Sequence, residues 1–80
     1  MKVLVHTKHV GQTQWHSRYQ DFVRLPVIGE YIAEHSTSDW YRIGIVVHTA
    51  YSDENDAEVF AVKVDTRKEL EKAFPPGDMT

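Results

Sequence analysis

The longest alternation of apolar and polar positions runs through residues 40–49. There Tyr41, Ile43, Ile45 and Val47 interleave with Trp40, Arg42, Gly44, Val46 and His48. Successive strand residues point to opposite faces, so this pattern predicts a β-strand with the first set turned to the core. Residues 57–65 repeat it, with Phe60, Val62 and Val64 set against Ala61 and Lys63. Their predicted core partners are therefore Tyr41, Ile43, Ile45 and Val47. The polar run Ser52, Asp53, Glu54, Asn55 and Asp56 reads as the turn between the two strands.

Three further segments complete the sheet. Residues 27–34 form a strand after Pro26, which lacks an N–H and needs a turn or an edge position. Gly29 permits a bulge or a close backbone approach there, and His35, Ser36, Thr37, Ser38 and Asp39 make the following turn. Residues 1–10 predict a first strand, with Val3 and Val5 on one face and Lys2, His6 and Lys8 on the other. Residues 11–21 show neither a helical nor a strand period and read as one long irregular connection. Phe22, Val23, Arg24 and Leu25 offer a re-entry into the sheet.

A helix is predicted over residues 66–74. Thr66 and Glu69 have the spacing of a capping box, in which each side chain satisfies a backbone N–H at the other position. Leu70 and Phe74, four residues apart, share the face expected to lie on the sheet. Pro75, Pro76 and Gly77 end the helix.

The segment Leu25-Pro26-Val27-Ile28-Gly29-Glu30-Tyr31-Ile32, with Trp40-Tyr41-Arg42-Ile43 and Val46-Val47-His48, resembles small SH3-like β-barrel accessory proteins of phage, prophage and bacteria. The likeness spans about half the chain, with residues 11–21 in the place of a long first loop. It implies a barrel that binds proteins, peptides or nucleic acids, and phage examples of such barrels include inhibitors of host systems. The helix at 66–74 is an addition that a minimal barrel of this kind does not need. The predicted fold class is thus mainly β, at the margin of α+β. It is a small antiparallel SH3-like barrel or a four- to five-stranded sheet, with one short C-terminal helix, in a single domain over 1–80.

Composition narrows the chemistry. The 80 residues contain no cysteine, which excludes disulfides and thiolate metal sites and fits a reducing cytoplasm. No stretch approaches the roughly 18 apolar residues of a membrane span, and the first residues lack the features of a signal peptide. A soluble cytoplasmic protein is expected, with no membrane association. The net charge of −3 is unevenly spread. Lys2, Lys8, Arg18 and Arg24 outweigh Asp21 near the start, whereas the last third is acidic. This asymmetry can mark two surfaces with different partners.

Five histidines raise the question of a metal site. His6 and His9 have a ligand-like spacing, but an odd separation on a strand sends them to opposite faces. His16 and His35 lie in separate polar segments, and His48 would need the turn at Asp53 and Asp56 to fold back onto it. Asp53, Glu54, Asn55 and Asp56 lack the spacing of a calcium loop. No nucleophile elbow occurs, and a chain this short has little room for a desolvated pocket. No metal, cofactor or catalytic residue is expected, and the chain is read as a non-enzyme.

The most informative polar group is Trp15, His16, Arg18 and Tyr19 beside Arg24, which Trp40 and Arg42 would extend on the outward face of their strand. Trp, Tyr and Arg are the residue types that dominate protein interfaces. Aromatics mixed with cations also suit stacking on bases. A third role is structural, with Trp15 and Tyr19 folded back as lids on a small core. The overall acidity weighs against nucleic acid, whose affinity rests on neutralising phosphates. The sequence therefore reads as a non-catalytic protein-binding module, of the kind that a phage or mobile element uses as an inhibitor or regulator of a host macromolecule. The alternatives are a small nucleic-acid-binding barrel and a structural subunit completed by homo-oligomerisation.

Overall fold

The computed structural model describes residues 1–33, 39–49 and 54–75. Residues 35–38 and 52–53 of the two predicted turns, and Pro76 and Gly77 of the predicted helix stop, lie outside the described residues. The fold is mainly β: a curled, half-barrel sheet of five strands followed by one short helix. The strands are β1 (Lys2–Lys8), β2 (His16–Asp21), β3 (Tyr31–Ala33), β4 (Trp40–His48) and β5 (Ala57–Lys63), and the helix is α1 (Thr66–Ala73). Their order across the sheet is β2-β1-β5-β4-β3. Among the described strands the central β1–β5 pair is parallel, and the β1–β2, β3–β4 and β4–β5 pairs are antiparallel.

This order puts β2 and β3 at opposite edges, so residues 22–30 must cross the whole sheet to join them. Adjacent strands are about 4.8 Å apart, which makes the crossing about 19 Å on a flat sheet and shorter on a curled one. The backbone groups of such a segment still need partners, and its two ends find them beside the sheet, where Phe22 exchanges hydrogen bonds with Met1. Gly29, at φ 92°, makes the turn that a residue with a Cβ enters only with strain. Gly29 donates to the Ile43 carbonyl at 2.8 Å, and Ile43 donates to the Glu30 carbonyl at 2.9 Å. The crossing lays Phe22, Leu25 and then Ile32 of β3 on the core formed by Val3, Val5, Ile43, Val59 and Ala61. Pro26 is also buried.

Several sequence expectations change. Of the strand predicted over 27–34, residues 27–30 belong to the crossing segment and β3 is Tyr31–Ala33, because the chain turns at Gly29. Residues 16–21 are not irregular: they form edge strand β2, paired with β1 from Lys2↔Asp21 to Thr7↔His16. An edge strand with polar residues on both faces carries no apolar alternation to reveal it.

The faces of β5 are reversed, because Ala57, Val59 and Ala61 are buried while Phe60 and Val62 lie on the other side. Both alternating sets are apolar here, and the concave side selects the small one.

In β4, Ile43 pairs with Ala61 and Ile45 with Phe60, so Gly44 is an unpaired bulge residue. The bulge keeps Tyr41 and Ile43 inward, turns Ile45 and Val47 outward, and brings Val46 against the core.

The helix does not close the sheet, since Leu70 and Phe74 stay exposed and residues 22–32 already fill that place. Its N-cap is Asp65, whose carboxylate accepts from the Lys68 N–H, and Thr66 is the first helical residue.

Candidate functional site

Residues directly opposite on paired strands share a face, which fixes the composition of the convex side. One row across the sheet is Tyr19, Leu4, Glu58 and Val47. The next is Ser17, His6, Phe60 and Ile45, and the third is Lys8, Val62, Arg42 and Tyr31. Trp15, just before β2, continues the third row beside Lys8. The sheet is therefore apolar on both sides, and the convex side keeps Trp15, Tyr19, Tyr31 and Ile45 exposed.

Rings order this surface. His6 stacks on Phe60 with centroids 4.5 Å apart, and Trp15 meets Phe60 edge-on at 5.4 Å. Lys8 Nζ lies 4.8 Å above the Trp15 ring, and Lys2 Nζ lies 4.5 Å above that of Tyr19. Tyr31 and Trp40 pair at 5.8 Å near the far edge.

A groove of about 290 Å³ opens between Trp15 and the β4 bulge, over Phe60 and Val62. Val10, Val64 and Lys63 also line it, and Gly44, Ile45 and Arg42 form its β4 wall. Gly44 widens this wall by carrying no side chain, with nothing within 4 Å of where a Cβ would stand. Lys63 is paired with Asp39 at 3.4 Å. Arg42 is exposed and has no carboxylate partner among the described residues.

His6 links three strands. Its Nε2 lies 3.0 Å from Glu58 Oε1 and its Nδ1 2.6 Å from Ser17 Oγ. A carboxylate only accepts, so Nε2–H donates to Glu58 and Nδ1 accepts from the Ser17 hydroxyl when the ring is neutral. This connectivity is that of a nucleophile relay. Ser17, His6 and Glu58 do not line the groove, however, and the network ties β2, β1 and β5 in register.

The structure divides the residues singled out in the sequence. Trp15, Tyr19, Trp40 and Arg42 share the convex face. His16 and Arg18 do not join them: they oppose Thr7 and Val5, whose side chains point to the concave side. Arg24 belongs to the crossing segment, where its guanidinium makes a two-pronged pair with Glu30. The Val27 N–H also donates to that carboxylate at 2.7 Å. Together the Arg24 and Val27 hydrogen bonds hold the Glu30 carboxyl down to about 2. Lys8, Ile45 and Phe60 are site residues that the sequence reading missed. The parity of Lys8 with His6 was the available signal, whereas Phe60 and Ile45 had been assigned to the core.

Among the described residues, no three histidine or acidic side chains converge as metal ligands. No helix among them is long and apolar enough to cross a membrane. No protein-family model, curated protein or solved structure matches the chain.

Proposed function

We propose that the chain is a non-catalytic protein-binding module whose convex groove takes an apolar segment of a partner protein flanked by carboxylates. The observation that carries this reading is the pairing of an exposed aromatic and aliphatic groove with cations at its rim. Trp15, Phe60, Ile45 and Val62 supply the apolar walls, and Lys8 and Arg42 supply charge beside them. Buried aromatic anchors ringed by polar contacts are where interface energy concentrates, and complementary charge adds encounter rate and register. The resemblance to phage accessory barrels supports a host macromolecule as the partner, and the lack of cysteine supports the cytoplasm as the place of action.

Single-stranded nucleic acid is the rival occupant, because Trp15, Tyr31 and Trp40 could stack on bases. Glu58 in the middle of the face and the net charge of −3 oppose it.

Selection from a random peptide library tests the reading. The expected consensus is an aromatic or aliphatic centre flanked by acidic residues. Binding of a selected peptide should fall at least about tenfold in Trp15→Ala and in Arg42→Glu, the range of an interface anchor. A basic consensus, or equal affinity in both variants, would overturn it. Binding of a random oligonucleotide that collapses steeply with salt would favour the rival.

A further inference from the structure

Among the described residues, strand β2 ends the sheet with β1 as its neighbour, and its outer edge has a defined backbone chemistry. Met1 and Phe22 exchange both backbone hydrogen bonds, the Phe22 N–H to the Met1 carbonyl at 2.8 Å and the Met1 ammonium to the Phe22 carbonyl at 2.8 Å. Hydrogen-bonded and non-hydrogen-bonded pairs alternate along an antiparallel ladder. Gln20, Arg18 and His16 therefore direct their N–H and C=O groups to β1, whereas Asp21, Tyr19 and Ser17 direct theirs away from the sheet.

Exposed edges are normally blunted by proline, a bulge, extreme shortness or charged side chains, and of these β2 has only the charges of Arg18 and Asp21. The six-residue β2 pairs in unbroken register and contains neither a proline nor a bulge.

We infer that the β2 edge joins a second copy of this chain, antiparallel about a two-fold axis at Tyr19, continuing the sheet from one copy into the other. Matching faces across such an axis requires residues of equal parity to oppose each other, and the register centred on Tyr19 satisfies this. It sets Tyr19 against Tyr19 and Ser17 against Asp21 as hydrogen-bonded pairs, so each outward N–H of these residues meets an outward carbonyl. Arg18 then opposes Gln20, and no like charges face each other. A register centred one residue earlier would set Arg18 against Arg18 and is disfavoured. At the ends of the shared ladder, the fully exposed Val23 of one copy approaches Trp15 of the other, giving an apolar contact to both. The dimer edge meets the convex groove at Trp15, which lines both, but the inference is argued from the backbone edge of β2 and does not rest on the proposed peptide binding.

Sedimentation equilibrium of the whole chain tests it. Wild type should be dimeric at tens of micromolar, and Tyr19→Pro should be monomeric with an unchanged far-UV spectrum. Of the backbone groups proline deletes only an N–H that points away from β1, the one place a strand tolerates it, and Tyr19→Ala, which loses the ring and keeps the N–H, should stay dimeric. Ser17→Asp places two like-charge pairs in the dimer and should weaken it about twofold to thirtyfold, whereas Ser17→Lys, facing Asp21, should strengthen it. Should Tyr19→Pro fail to fold, the opposite signs of the two Ser17 variants still decide the register. A wild type monomeric at millimolar concentration would overturn the inference, and so would a folded Tyr19→Pro dimer or equal effects of the two Ser17 variants.

Discussion

Ile43 and Ile45 point to opposite faces of the sheet, although only Gly44 separates them. Ile43 is fully buried opposite Ala61, and Ile45 stands 55% exposed opposite Phe60. The bulge thus gives one apolar strand two tasks. It supplies the concave core through Tyr41, Ile43 and Val46, and a wall of the convex groove through Ile45.

The two isoleucines should respond differently to truncation. Ile43→Ala is expected to cost about 2–5 kcal/mol, the range for a buried isoleucine, which approaches the whole stability of a small domain. Ile45→Ala should cost about 0.5 kcal/mol or less, as for an exposed position, while weakening a groove-bound peptide. Urea denaturation of both variants checks this. Equal losses would mean that the bulge does not separate the faces.

Strand positions were legible where one face alone is apolar, as in β1, and where alternation is long, as in β4. The faces were not. In β5 the sets Ala57, Val59, Ala61 and Phe60, Val62 are both apolar, and residue size pointed to the wrong one. In β4 an unpaired Gly44 leaves no mark in a hydropathy pattern. Strand β2 was hidden because His16–Asp21 is polar throughout. The site was half legible for the same reason. Trp15 and Arg42 were found as interface residue types, while Phe60 and Ile45 were absorbed into a supposed core. Arg24 looked like part of a basic patch because its partner Glu30 is six residues away and meets it only across the Gly29 turn.

Gly44→Ala should separate folding from binding. The position has no left-handed backbone, and nothing lies within 4 Å of the added carbon. Stability is expected to stay within about 1 kcal/mol of wild type, with reduced unfolded-state entropy acting in its favour. The methyl narrows the groove that Gly44 lines, so affinity for a selected peptide should fall. Unchanged affinity in the folded variant would remove this wall from the binding site.

The helix start offers a third test. Asp65 accepts from the Lys68 N–H at 3.3 Å, and Thr66 lies inside the helix. Aspartate is also the stronger capping residue of the two. Asp65→Ala should destabilise α1 by about 0.5–2 kcal/mol, whereas Thr66→Ala should have a smaller effect. Backbone chemical shifts from Arg67 to Ala73 report this directly. A larger loss of helical shifts in Thr66→Ala would return the cap to Thr66.

Acid titration addresses the crossing segment. The hydrogen bonds from the Arg24 guanidinium and the Val27 N–H to Glu30 stabilise the charged carboxylate and hold it at about 2, against an ordinary value of 4.5. The folded state therefore binds this proton less readily than the unfolded chain does. The resulting stability is fully present above pH 4.5 and is lost as the pH falls through about 2. Glu30→Gln keeps the side chain's size and removes its charge. Its urea midpoint should lie below wild type at neutral pH, and the two should converge between pH 4.5 and pH 2. Other carboxylates titrate in both proteins, so the difference between the curves isolates Glu30. Should the two curves run parallel through that window, the clip between Arg24 and Glu30 would have no part in holding residues 22–30 across the sheet.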